Sequence, residues 1–503
     1  MEKTGLRTIA EIESAVKEQK NISKDLHDRF EADYGHWRLK KYDRGKDYKS
    51  FTSNQPRTLA DKIIDLNSQA KYIWRIPIDE EYEAERENLS NAERFLIGML
   101  NLINERFNLM GQPDLISQMT WHSVVRGWFV LRAYIQKGEN GATKPRVDVW
   151  DKFQTYYEMG EDGILWLCHL RVATASQLKA EYGVDIKGKS GTVFDFWDDE
   201  VNSIHIQGAD FVKKPEKHGL DRTPVLVSVV GATPYIQSEE YLDTLKDVGE
   251  SWLAANRGLI EPINELFSDL RTIVARGAKV PLKHEYDSTR GGKPQLDDSP
   301  FKLDKGQVQV VPVDIGSGED IKPLIEPTMP RDAAAIANAF SVLWQQGGLS
   351  NASFGELGFQ VSGYLFRQLT LAMASVIGKP GKSVETAMGW LSRELLAQYS
   401  KGGFEGVTVE GKDSRDKYFG PIKLKPEDVK GDWFPEFRLV PELPEDEMER
   451  YAMARIAHEG PDPLLSNLSI NDRLLHIQDP DLEENLKLEQ WAMNLPPIKM
   501  RRV

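Results

Sequence analysis

Between Ala333 and Gln346 the chain runs AAAIANAFSVLWQQ, with no charged side chain, and then breaks into a glycine-studded polar loop. Pro330 and Asp332 suit a first helical turn: proline's fixed φ fits there, and a carboxylate opposes the positive helix end. From Ala333 to Trp344 the apolar residues leave almost no polar face. That pattern predicts a short helix buried nearly all round, and its alanines predict close packing by neighbouring helices. Gly347 and Gly348 end it. The loop from Leu349 to Gln360 holds Ser350, Asn351, Ala352, Ser353, Gly355 and Glu356, with Phe354 and Phe359 as its bulky anchors. It carries no metal-ligand set and no nucleophile–base pair. Such a loop touches or guides something.

A chain of 503 residues has room for two to four domains. No apolar run approaches the roughly 18 residues that would span a membrane. The N-terminus is a charged helical pattern with no signal-peptide core, so nothing in it directs secretion. The single cysteine, Cys168, excludes an intramolecular disulfide framework and reads as a small buried hydrophobe. Net charge is −14. Proteins that grip nucleic acid show a basic footprint, because phosphate neutralisation supplies most of the affinity. This chain is expected not to hold DNA tightly, although an acidic lining would let DNA pass.

Composition shifts along the chain divide it further. The first 45 residues read as charged helix, and Arg57 to Arg75 as an amphipathic helix ended by Pro77, with Leu59, Ile63, Leu66 and Ala70 at helical spacing. Residues 90–112 form another helix, and 113–135 turn from helix to strand. From about 145 to 230 the pattern is of strands, with a hairpin turning at Gly160 to Gly163 and a short helix from Ala175 to Tyr182. Residues 238–277 read as a long helical stretch that Gly258 and Pro262 kink or split. Proline, glycine and short strand patterns mark 280–327 as a small β insert. Residues 361–399 are mostly helix, interrupted by GKPGKS, and 405–441 return to loops and short strands. Residues 441–490 are helical and acidic, with 13 Asp or Glu against 4 Lys or Arg.

The sharpest formal motif fails on context. Gly183 to Ser190 fits G-x-x-x-x-G-K-[ST], a phosphate-cradling loop that needs a strand before it and a helix after it. Here a helix ends at Gly183, which suits a left-handed cap, and a strand succeeds Ser190. GKPGKS at 378–383 has the wrong spacing and reads as a turn in which Ser383 caps the next helix. The nine histidines (27, 36, 122, 169, 205, 218, 284, 458, 476) show no paired metal spacing, so no metal or cofactor is expected. Asp198, Asp199 and Glu200 read as a solvated turn ahead of a cation site. Trp74, Trp121, Trp128, Trp150, Trp166, Trp197 and Trp252 lie in apolar patterns and read as core. No nucleophile motif appears, and no catalytic residue is assigned.

Taken in order, these segments resemble the portal proteins of tailed double-stranded DNA bacteriophages, the ring at the head–tail vertex. RTLADKIIDLNSQAKYIWRIP is similar to that family's early wing helix. WHSVVRGWFVLRAYI and then VDVWDKFQTYYEMGEDG resemble its wing core, and ESWLAANRGLIEPINELFSDL the long helix leading to its stem. FGELGFQVSGYLFRQL resembles the return from the tunnel loop to the wing. FPEFRLVPELPEDEMERYAMAR and LSINDRLLHIQDPDLEENLKLEQ, with its D-P-x-x-E, share the family's C-terminal texture.

The resemblance implies an α+β, mostly helical ring subunit with a wing over 1–237 and a long helix into the stem over 238–279. A clip comes next over 280–327, then a second stem helix over 328–347 and a tunnel loop over 348–363. The wing returns over 364–440, and an acidic helical crown occupies 441–503. It implies a homo-oligomeric ring, commonly a dodecamer, through which double-stranded DNA passes without being tightly bound. Its partners would be the terminase large subunit, a head–tail adaptor, and the major capsid and scaffolding proteins, at the capsid vertex of a virion and with no membrane. The DNA-channel loop would be Leu349, Ser350, Asn351, Ala352, Ser353, Phe354, Gly355 and Glu356. Lys283, His284, Arg290 and Lys293 would meet partners at the clip. The alternatives are a P-loop NTPase using 183–190 and a non-ring structural or scaffolding protein.

Overall fold

The computed structural model describes residues 6–76, 86–138, 142–231, 248–277, 282–291, 301–303, 306–308, 310–317, 332–349, 363–412, 418–431 and 433–440. Beyond these it describes 451, 453–456, 470, 486–488 and 491. The protein is mixed α+β. Helices α1 (Ile9–Ile22) and α2 (Lys24–Trp37) come first. A capping box opens α1: Thr8 Oγ1 accepts from the Glu11 N–H, and the Glu11 carboxylate accepts from the Thr8 N–H. Next are α3 (Gln55–Ser68), β1 (Lys71–Arg75), α4 (Arg86–Leu109) and α5 (Leu115–Val125). The strand-rich stretch holds β2 (Trp128–Lys137), β3 (Thr143–Trp150), β4 (Thr155–Met159), β5 (Ile164–Thr174), α6 (Ala175–Tyr182), β6 (Ser190–Asp198), β7 (Val201–Ile206), β8 (Phe211–Lys217) and β9 (Val225–Val229). Then come α7 (Arg257–Gly277), β10 (Leu282–Tyr286), β11 (Phe301–Leu303), β12 (Gly306–Val308), β13 (Val310–Asp314) and α8 (Ala333–Gln346). The 39-residue α9 (Gly363–Lys401), β14 (Val407–Lys412), β15 (Tyr418–Leu424) and β16 (Glu436–Val440) complete the order.

The chain divides into two compact units. One holds residues 1–34, 60–252 and 351–503, the other 35–59 and 253–350. In the first unit the main core lies among α4, α5, α9, β2 and β14 to β16, around Phe95, Met99, Met119, Phe129, Met388, Leu391 and Tyr399. Tyr399 stacks on Phe95 with centroids 4.6 Å apart, and its hydroxyl donates to the Leu424 carbonyl at 2.8 Å. A Cβ on Gly98 would lie 2.2 Å from that of Val409, so only glycine lets α4 approach β14 this closely. Two antiparallel sheets complete the unit, in the orders β3-β2-β9 and β4-β5-β6-β7-β8. Strands β2, β5 and β7 are buried at runs of consecutive positions, so both of their faces are covered there.

The second unit is built on α7. Asn264, Ser268 and Thr272 fall four residues apart on one face, and the extended chain from Lys49 to Ser53 is laced along them. The Ser53 N–H donates to Asn264 Oδ1, that of Phe51 to Ser268 Oγ, and that of Lys49 to Thr272 Oγ1, each at 2.8 Å. Residues 49, 51 and 53 point their N–H groups one way because an extended strand alternates. In the insert, β10 pairs with β13 in parallel and β11 with β12 antiparallel.

Several expectations change. Lys71 to Arg75 is a strand, not the end of a helix; it pairs with β16, Lys71 opposite Val440. The first helical stretch stops at Trp37, short of 45. Residues 248–256 form turns, so the helix expected over 238–277 begins at Arg257 and runs unbroken through Gly258 and Pro262; 238–247 lie outside the described residues. GKPGKS does not interrupt α9, which continues through Pro380. A mid-helix proline costs about 3 kcal/mol. Here Asn67 donates to the Ile377 carbonyl in the weakened turn, and the buried Val384, Ala387, Met388 and Leu391 anchor the helix turns beyond it. Ser383 caps nothing; its hydroxyl pairs with that of Ser228 at 2.7 Å. Among the described residues no helix is long and apolar enough to cross a membrane.

Candidate functional site

Helix α8 forms where the sequence places it, from Ala333, with Gly347 directly after its last residue. Its burial differs from the all-round burial expected. Ala333 and Trp344 are the buried positions, with Ala337, Phe340 and Ser341 half-buried between them, a helical stripe turned toward its own unit. The other faces are open: Ile336 is 45% exposed, Val342 52% and Leu343 46%. In the same unit α7 exposes Val274 at 61%. Beneath the end of α8, a Cβ on Gly347 would meet Asn256 Oδ1 at 2.0 Å, and Asn256 Nδ2 donates to the Trp344 carbonyl at 3.0 Å. The helix end is therefore fixed by a glycine and an asparagine while its apolar flank stays about half exposed.

The site residues expected from the sequence are placed only in part. Leu349 is buried in the single chain, at 3% exposure. Ser350, Asn351, Ala352, Ser353, Phe354, Gly355 and Glu356 lie outside the described residues. Lys283 and His284 are consecutive on β10, opposite Val311 and Pro312 of β13. Arg290 lies in an exposed turn, 3.5 Å from Asp287. Lys293 lies outside the described residues.

The local fold around 183–190 runs helix, left-handed glycine, strand. Gly183 has φ of 69° and takes its place as the cap of α6, and Ser190 begins β6. Asp198 accepts from the N–H groups of Glu200 and Val201 and pairs with Arg7, so its oxygens are used within the turn. Among the described residues no group of three His, Cys, Asp or Glu side chains converges as a metal site. Cys168 is fully buried, which raises its thiol pKa well above the usual range.

Sequence reasoning missed a second constellation, between the two sheets of the first unit. Along β2 and β3, alternate residues put Val130 opposite Trp150, Arg132 opposite Asp148 and Tyr134 opposite Arg146 on one face. Along β5 and β6, Leu167 pairs with Trp197, His169 with Asp195 and Arg171 with Val193. The apolar layer of Val130, Trp150, Leu167 and Trp197 closes one end. The charged layer lies next to it, and beyond that a cleft of about 550 Å³ opens. Arg132 bridges Asp195, at 2.6 Å, and Asp148, which also holds Arg106. Burial works against the Arg132 charge, but the two carboxylates outweigh it and hold the guanidinium above its ordinary pKa. Burial also raises Asp195, ahead of the opposing pull of Arg132 and Asn202. Asp148 is held low, because its two arginines outweigh burial.

His169 stacks on Trp150 with centroids 4.3 Å apart and planes 2° apart, and the Arg132 guanidinium lies 4.5 Å from the same indole centroid. Burial, aided by Arg132, brings the His169 pKa down to about 3. The unfolded chain therefore binds a proton near pH 6.5 that the folded protein refuses. Stability from this group is complete above pH 6.5 and is lost as pH falls toward 3. Buried His27, brought down to about 4, acts in the same direction. Urea unfolding at pH 7.5 and pH 5 is expected to show the protein less stable at pH 5, by roughly 2 kcal/mol from His169 alone.

No protein-family model and no curated protein matches this sequence. The functional reading therefore rests on the residues themselves.

Proposed function

We propose that this chain is the subunit of a phage portal, a ring at the capsid vertex through which double-stranded DNA is packaged and ejected. The observation that carries the reading is α8: fourteen residues without a charge, with Ile336, Val342 and Leu343 about half exposed in the single chain. An uncharged apolar helix face of this kind asks for a partner surface. A second copy of the chain supplies one at every subunit if the contact is head-to-tail and the rotation closes into a ring. The order α7, β insert, α8 and long α9 supports the same reading, as does the grouping of α7, the insert and α8 in one unit. It is the order stem, clip, stem and return that the resemblance implies.

In this reading the loop after α8 touches DNA without holding it. The subunit's net charge of −14 opposes capture, since tight DNA binding requires cations to displace counterions. The terminase large subunit and the head–tail adaptor would dock at the insert, and the virion would be the site of action. Deleting residues 348–360 is expected to leave ring assembly intact while lowering genome packaging or retention at least about tenfold. Packaging and retention at the level of the parent would count against the loop's role.

A further inference from the structure

The cleft between the sheets has polar groups that the protein itself leaves unused. The Thr155 hydroxyl gives its single hydrogen to the Asp151 carbonyl at 2.9 Å, yet it also lies 3.0 Å from His169 Nδ1. Thr155 Oγ1 must therefore accept from His169, which puts the ring hydrogen on Nδ1. The imidazole is neutral, so Nε2 carries a lone pair. His169 is only 8% exposed, lines the cleft, and has no partner for Nε2 among the described residues.

Arg146 lines the same cleft. Its Nε donates to Gln136 Oε1 at 3.1 Å, and its two terminal nitrogens have no hydrogen-bond partner among the described residues. Tyr134 stands directly opposite Arg146 across the β2–β3 pair, and burial raises its pKa, which keeps its hydroxyl a donor. The other charges of the cleft cancel: Arg132 and Arg106 against Asp148 and Asp195, and Arg171 against Glu181. Arg146 is the remaining positive charge. Trp150 already stacks on His169 and carries the Arg132 guanidinium over its ring, and the cleft's open groups are charged or hydrogen-bonding ones.

We infer that this cleft binds a protonated phosphate group, with Arg146 and Tyr134 donating to its oxygens and His169 Nε2 accepting the hydrogen of its P–OH. The requirement for that hydrogen is what makes the recognition specific. At pH 6 a phosphomonoester keeps about half of its last proton. Sulfate has none at that pH, nor does a phosphodiester, and each would set an oxygen lone pair against that of His169. A cleft of about 550 Å³ has room for a small phosphomonoester as well as for free phosphate. Phosphate binding here is independent of the ring reading, since it rests on the first unit alone.

Calorimetric titration of the full chain at pH 6 with inorganic phosphate, methyl phosphate and sulfate tests it. Saturable binding of either phosphate probe is expected, with sulfate at least tenfold weaker; the tighter phosphate probe shows whether the free ion or an ester is the natural form. Arg146→Gln is expected to weaken phosphate binding at least tenfold with its melting curve unchanged. Tyr134→Phe provides a second variant that keeps the ring and removes only the hydroxyl, with a loss of about three- to tenfold. Sulfate binding as tight as phosphate, no saturable binding of any probe, or unchanged affinity in both variants would overturn it.

Discussion

Leu343→Asp is expected to leave the proposed ring unable to form, giving monomers that still fold. Leu343 is 46% exposed in the single chain, so the carboxylate stays hydrated there, and the subunit's own stability falls by about 1–2 kcal/mol through lost partial burial, lower helix propensity and the negative helix end. In the proposed ring the same position is covered, and the carboxylate must then give up water with no cation supplied by α8 itself. A penalty of about 2 kcal/mol at each contact weakens association some thirtyfold, and a closed ring carries it at every interface. Light scattering reports the mass and urea unfolding reports the fold, so the two effects separate. An unchanged mass would remove α8 from the interface. Loss of fold along with assembly would mean that the exposed flank is covered by the chain itself.

Arg132→Met is expected to be the most damaging single change within the first unit. It leaves Asp148 and Asp195 facing each other in a buried layer, where breaking such a pair costs about 3–5 kcal/mol. Asp148 retains Arg106, and Asp195 retains the Asn202 amide at 2.9 Å, so the loss falls chiefly on Asp195. Burial already raises that carboxyl, and without the arginine its pKa climbs further. The variant should therefore regain part of its lost stability as pH is lowered from 7.5 toward 5, against the trend that His169 imposes on the parent. Replacing Asp195 by Asn in the Arg132→Met background should recover stability at neutral pH for the same reason. Urea midpoints at two pH values check both statements; a loss below about 1 kcal/mol would show that the charged layer is well solvated.

What the sequence made legible was local. The α6 helix with its left-handed Gly183, the β4–β5 hairpin and the passage from α5 to β2 all depend on residues within a turn or two. β1 was not legible, because KYIWR continues a helical spacing and its partner strand β16 lies over 360 residues further along the chain. Pro380 inside α9 was missed for a related reason: the burial that offsets its cost comes from contacts that spacing does not report. α8 itself was legible as an uncharged helix, but sequence cannot say how much of it its own fold covers; the structure leaves Ile336, Val342 and Leu343 about half exposed. The cleft escaped for want of a motif. Arg132, Asp148, His169 and Asp195 come from four strands, and only the register brings them to one layer. The one available signal was a charged or polar residue at alternate positions of otherwise apolar strands, as in WFVLRAYI and ILWLCHLRV.

The central claim is that α8 is covered by a neighbouring copy in a closed ring. Negative-stain images of the purified full chain, taken together with its mass by light scattering, test it most directly. The expected result is annular particles with an open centre, about twelve subunits by mass, that disappear in Leu343→Asp. A parent protein that stays monomeric or dimeric at every concentration and salt condition, with no annular particles, would contradict it.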